Sequence, residues 1–174
     1  MITTELICSR TYSQTLNTQL NDSDWGRIVD AGKRLDAPYQ QNMPYFLERI
    51  PIYTGFNWDN GLSIPIYLAD FDGPSRTNPV TIKIGAVEDM LVKIIHELIH
   101  LNFPNSIFNL NDNVYEDVVN QVTLRIAEDQ DIKGVISLEQ MLSYRTSLLG
   151  KEIELPVIDL DKVNVRDYFL KRVL

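Results

Sequence analysis

Residues 86–103 read Ala86-Val-Glu-Asp-Met-Leu-Val-Lys-Ile-Ile-His-Glu-Leu-Ile-His-Leu-Asn-Phe103. The apolar residues of this stretch recur three and four positions apart, which predicts a helix whose buried face carries Val87, Leu91, Ile94, Leu98 and Leu101. Pro104 follows directly and ends the helix, because proline lacks the N–H that another turn would need. We expect the rest of the fold to pack around this helix.

The sequence before this helix predicts one helix and a small sheet. Ser23–Leu35 has helical periodicity, and Pro38 and Pro44 then bracket an expected loop. Two strand-like runs flank Asn60-Gly61, a strong hairpin signal, and a third run follows them. The three predicted strands are Arg49–Phe56, Ser63–Phe71 and Val80–Ile84.

Helices dominate the remainder, where the periodic segments are Val114–Glu128, Leu138–Leu149 and Val163–Val173. The order of helix, strands and further helices predicts the α+β class, with a small, mostly antiparallel sheet packed on the central helix. The chain has the length of one domain. We expect an upper lobe over residues 1–103 and a lower helical lobe over 104–174.

Composition excludes several classes of protein. The chain of 174 residues carries 24 acidic and 16 basic residues, a net charge of −8, which argues against nucleic acid and anionic membranes as partners. No apolar run approaches the roughly 20 residues of a membrane span, and no signal peptide is seen. Cys8 is the only cysteine, so an internal disulfide is excluded and a cytoplasmic location is expected.

The chain has only two histidines, and both lie in the central helix as His96-Glu97-Leu98-Ile99-His100. Residues four apart project from one helix face, so the two imidazoles can bind one Zn²⁺. Glu97 is one residue on from the first ligand, where it can act on a metal-bound water as a general base. This HExxH pattern predicts a hydrolytic zinc site.

A catalytic zinc takes three protein ligands, and no histidine remains for the third. Glu116 is the best candidate, because it lies early in the next predicted helix, which can run back beside the first. Asp112 and Asp117 are the alternatives. Asn120, one turn beyond Glu116, is expected to orient a histidine ring through a hydrogen bond.

His96-Glu-Leu-Ile-His100 followed by Glu116-Asp-Val-Val-Asn120 resembles the gluzincin zinc metallopeptidases, and their smallest members, the minigluzincins, are of comparable size. The resemblance implies a zincin-like fold with His96, His100 and Glu116 as ligands and Glu97 as the base. It also implies an edge strand that pairs with a peptide or protein substrate. That strand would be Val80-Thr81-Ile82-Lys83-Ile84.

The sequence departs from this family at two points. Asn120 stands where many members have aspartate, and no histidine is left to stabilise the oxyanion. Tyr144 or Tyr168, or else Arg145 or Arg166, would have to serve there. The ImmA-like peptidases, which share HExxH and a downstream acidic ligand, are a subfamily alternative. A non-catalytic zinc-binding module is the alternative from another functional class.

Overall fold

The computed structural model describes residues 2–103, 112–130, 132 and 157–173, except for the side chains of residues 112, 113, 172 and 173. The predicted helix Leu138–Leu149 lies outside this part. Within it, no helix is long and apolar enough to span a membrane. The elements are β1 (Thr3–Cys8), α1 (Arg10–Leu16), α2 (Asp22–Thr54), β2 (Ser63–Ala69), β3 (Arg76–Thr77), β4 (Val80–Lys83), α3 (Val87–Asn102), α4 (Asp112–Asp129) and α5 (Val165–Val173).

These elements confirm the α+β class, but the prediction of a mostly antiparallel sheet is wrong. The strand order is β1-β2-β4-β3, and β1, β2 and β4 are parallel. Only β3 is antiparallel, as the partner of β4 in a tight hairpin. The physical reason is the connection between β1 and β2, which contains two helices and is therefore long enough to return the chain in the same direction.

Helix α2 replaces the predicted strand Arg49–Phe56 and the predicted proline-bracketed loop. The helix runs for 33 residues and contains Pro38, Pro44 and Pro51. Its buried side chains keep the helical spacing of three and four through all three prolines, so packing of this face outweighs the local cost of proline. The face consists of Ile28, Ala31, Leu35, Tyr39, Met43, Phe46, Ile50 and Tyr53.

A side chain outside α2 compensates for one of these prolines. Pro51 has no N–H to donate to the carbonyl of Leu47, four residues earlier. The indole Nε1 of Trp58 donates to that carbonyl at 2.9 Å. The helix then ends at Gly55, whose φ of 80° is the left-handed conformation that favours glycine at this position. Trp58 therefore belongs to the end of α2 and not to a hairpin.

Helix α3 lies at the centre of the molecule, against α2, α4, β3 and β4. Its bounds agree with the prediction, and four of the five predicted core residues lie in or against the core. Leu101 is the exception at 40% exposed. Buried Asn102 fixes the last turn by donating to the Phe56 carbonyl at 3.0 Å and accepting from Thr54 Oγ1 at 2.5 Å. The helix is thus packed against elements on several sides, and part of its surface lines a cleft bordered by β3 and α4.

Candidate metal centre

The two histidines of α3 present their Nε2 atoms to the same point. His96 and His100 lie one helical turn apart, and their Nε2 atoms are 3.0 Å from each other. The side chains are 24% and 13% exposed, so both rings reach the cleft while most of their surface is covered. This is the geometry that the i, i+4 spacing predicted.

Helix α4 brings Glu116 to these two nitrogens. Its Oε1 lies 3.4 Å from His100 Nε2, and its Oε2 lies 3.5 Å from His96 Nε2. Together His96, His100 and Glu116 form a group whose three ligand atoms all lie within 4.8 Å of one another. Glu116, sixteen residues after His100, therefore reaches the two histidines although it belongs to a different helix.

The spacing of these atoms fits a single metal ion. Two ligand atoms that each lie about 2.0–2.1 Å from one zinc ion at a tetrahedral angle are about 3.3 Å apart. The Nε2–Nε2 distance of 3.0 Å, and the distances of 3.4 and 3.5 Å from these nitrogens to the two oxygens of the Glu116 carboxylate, bracket that value. When the His100 and His96 rings are protonated and no metal is bound, their hydrogen bonds to Glu116 hold the pKa of its carboxyl well below its ordinary value, so the carboxyl is ionised and able to act as a ligand.

Tyr115 sets the orientation of His100, a role that sequence analysis missed. The Tyr115 hydroxyl donates to the Phe103 carbonyl at 2.7 Å, so its oxygen is left to accept from Nδ1–H of His100 at 3.1 Å. That places the lone pair of His100 on Nε2, toward Glu116. Burial, with a smaller effect of Glu116, raises the pKa of Tyr115 to about 12 and keeps the phenol neutral.

Glu97 lies beside the three ligand residues but contacts β3 instead. It is only 6% exposed. The Thr77 hydroxyl donates to Glu97 Oε2 at 2.6 Å. Glu97 is thus held between α3 and the sheet, in the same cleft as His96, His100 and Glu116 but outside that group.

An open cleft of about 540 Å³ contains all of these groups. β3 and the loop before it form one wall, α4 forms the other, and α3 forms the floor. A ligand group that could hold a divalent ion and a further carboxylate in the same cleft are among the parts that metal-assisted hydrolysis uses. The lining residues are Pro74, Ser75, Thr77, His96, Glu97, His100, Tyr115 and Glu116.

The edge strand needs a correction. The predicted strand Val80–Ile84 corresponds to β4, which lies between β2 and β3 in the sheet. Val80 and Thr81 pair with Thr77 and Arg76, and Val80, Thr81 and Ile82 are buried. Lys83 and Ile84 extend beyond that pairing and do not line the cleft. The short strand β3 is the edge here, because the tight turn at residues 78–79 folds it onto β4.

The other predicted residues have different outcomes. Asn120 is half-buried on α4, and among the described residues it makes no hydrogen bond to either histidine. Tyr168 packs edge-on against Phe169, and Arg166 lies over the Phe56 ring, neither of them in the cleft lining. Asp117 is buried outside the ligand group. Tyr144, Arg145 and the side chain of Asp112 lie outside the described residues.

A larger cavity of about 820 Å³ opens near the start of α3 but has a different character. Four of the five charged residues that line it are paired with one another, Arg27 with Asp70 at 2.5 Å and Lys33 with Asp30 at 3.4 Å, and Arg34 is the fifth. Ion pairs at the surface neutralise each other's charge. They do not direct several polar atoms at one point, as the side chains of a binding or catalytic site do. The chemistry of the described residues is concentrated in the cleft of His96 and His100.

Comparisons with protein-family models, with curated proteins and with solved structures give no match to this chain.

Proposed function

We propose that this chain is a zinc-dependent metallopeptidase of the gluzincin type, with a zincin-like catalytic domain. The observation that carries the proposal is the convergence of His96 Nε2, His100 Nε2 and the Glu116 carboxylate, with Glu97 in the same cleft. Two imidazoles and one carboxylate are a ligand set of catalytic zinc, which keeps one position open for water. A purely structural zinc site has no need of a neighbouring base.

Each side chain then has a defined task. His96, His100 and Glu116 hold the ion, which when bound supplies Lewis-acid polarisation of a carbonyl and lowers the pKa of water. Glu97 accepts a proton on the carboxylate oxygen that Thr77 leaves free and delivers it to the leaving amine. Tyr115 keeps His100 in the tautomer that presents a lone pair to the site.

The substrate we propose is an extended peptide or protein segment. The outer edge of β3 borders the cleft, and an extended peptide can add to such an edge through main-chain hydrogen bonds. Thr77 of this strand bonds to Glu97, so a peptide added to β3 would lie close to the Glu97 carboxylate.

Metal analysis and a cleavage assay test the proposal together. We expect about one zinc per chain in the native protein, its loss in His96→Ala, and cleavage of an unfolded protein or a peptide library. Glu97→Gln should retain zinc and lose cleavage. A native protein without zinc contradicts the metal centre. Equal inactivity of native protein and Glu97→Gln, both with zinc bound, contradicts catalysis and favours a zinc-binding module.

A further inference from the structure

We propose that Thr77 is a positioning residue for Glu97 and that it couples the substrate-binding strand to the general base. The inference rests on the proposed peptidase function and deepens it. The Thr77 hydroxyl bonds to Glu97 and, among the described residues, to none of the three proposed ligands, so its effect has to pass through the Glu97 carboxylate.

The geometry distinguishes the two oxygens of Glu97. Thr77 Oγ1 lies 2.6 Å from Oε2 and donates to it. Hydrogen bonds to a carboxylate are charge-assisted, and therefore stronger than bonds between neutral groups. With Oε2 held by β3, rotation of the carboxylate is restricted, and Oε1 is left as the oxygen that takes up and releases the proton.

The position of Thr77 connects this bond to the edge strand. Thr77 is the second of the two β3 residues and pairs with Val80 of β4, which fixes its backbone in the sheet. β3 is the outermost strand of the sheet and borders the cleft, while the side chain of its residue Thr77 holds Glu97. Thr77 therefore fixes the position of the Glu97 carboxylate relative to β3, the strand along which the peptide would lie.

Replacement of the hydroxyl should impair the chemical step rather than peptide binding. Thr77→Val keeps the shape and strand preference of the residue but removes the donor. Misplacement of a reacting group by about 1 Å can cost about 100-fold in rate. We expect kcat to fall about 10- to 100-fold and KM to stay within about twofold. Thr77→Ser restores the donor and should recover most of kcat.

The test compares zinc-loaded native protein, Thr77→Val, Thr77→Ser and a matched control, Thr123→Val. Thr123 is a buried threonine of α4 that donates only within its helix, to the Val119 carbonyl, and lies outside the cleft lining. Zinc content, thermal unfolding, kcat and KM are measured for each. In parallel, the ¹³C carboxyl resonance of Glu97, identified by its loss in Glu97→Gln, reports the hydrogen bond without any turnover.

The expected result is a fall in kcat and a shifted Glu97 resonance in Thr77→Val only, both restored in Thr77→Ser, at unchanged zinc content. An active Thr77→Val with native kcat and an unmoved resonance overturns the inference and leaves the peptidase proposal standing. A similar loss in Thr123→Val, or no recovery in Thr77→Ser, shows a merely structural role and also overturns it. If the native protein itself cleaves no peptide, the proposed function fails, and this inference fails with it.

Discussion

The phenolic oxygen of Tyr115 accepts a hydrogen bond from Nδ1 of His100, at 3.1 Å, and so determines which nitrogen of that ring faces Glu116. Tyr115 is the residue immediately before Glu116, and the ring of Tyr115 stacks on Phe103 at 5.4 Å. The start of α4 therefore supplies Glu116, an expected ligand, and Tyr115, which orients a second expected ligand, His100. This pairing makes the metal centre depend on how α4 docks against α3.

We expect Tyr115→Phe to weaken zinc binding by about 10- to 100-fold, as is usual when the hydrogen-bond partner of a ligand histidine is removed. The phenylalanine ring retains the stacking on Phe103, so the fold should be preserved. Competitive titration with a chromophoric chelator measures the affinity. Tyr45→Phe is the matched control, because it removes a hydroxyl that bonds to Asp129 instead. Equal zinc affinity of Tyr115→Phe and the native protein would contradict the assigned role.

Helix periodicity predicted the part of the candidate site that lies on one helix, because it determines how those side chains are placed relative to one another. His96, His100 and Glu97 are fixed relative to one another by one helix, and the structure retains that arrangement. Glu116 was nominated from the need for a third ligand, and its approach depends on long-range packing of α4 on α3. Tyr115 and Thr77 carried no local signal, because a hydroxyl bond between distant elements leaves no pattern in the sequence.

The fold was predictable to a similar extent. Helix α3 and strands β2 and β4 were located within a few residues, because their apolar patterns are local. The sequence predicts too short a helix for α2, because prolines are typical helix breakers. The buried side chains nevertheless keep their spacing of three and four residues through Met43 and Ile50. β1 was missed, and the parallel direction of the strands was not foreseen, since the pairing partners lie far apart along the chain.

The role of Trp58 at the end of α2 can be measured by a double-mutant cycle. Trp58→Phe should lower the free energy of unfolding by about 1–3 kcal/mol, because it leaves the Leu47 carbonyl without its donor. Pro51→Ala supplies a backbone N–H for the same carbonyl. We therefore expect Trp58→Phe to cost less in the Pro51→Ala background, as measured by urea unfolding. Strictly additive effects would show that the indole does not compensate for the proline.

The unfolding free energy should depend on Tyr53 at alkaline pH. Burial, with a smaller contribution from the hydrogen bond to Asp129 at 2.7 Å, raises the pKa of Tyr53 from its ordinary value of 10.0 to about 12. A raised pKa means that the folded state keeps a proton which the unfolded state releases. The contribution of Tyr53 is therefore complete below about pH 10 and is lost as the pH rises toward 12.

Tyr53→Phe isolates this effect. We expect the variant to be about 1 kcal/mol less stable than the native protein at pH 7, because one hydrogen bond is removed. The difference should shrink as the pH is raised above 10, which chemical denaturation at a series of pH values can follow. An identical alkaline dependence in both proteins would contradict the assignment.

The zinc content of Glu116→Ala tests the central claim most directly, because Glu116 is the proposed ligand that depends on the fold and not on the HExxH motif. Glu128→Ala, which removes an exposed carboxylate from the same helix, is the matched control. After equilibration with zinc in slight excess over the chain and with a competing chelator, we expect about one zinc per chain in the native protein and the control, and almost none in Glu116→Ala. Native zinc content in Glu116→Ala would contradict the proposed three-residue metal centre.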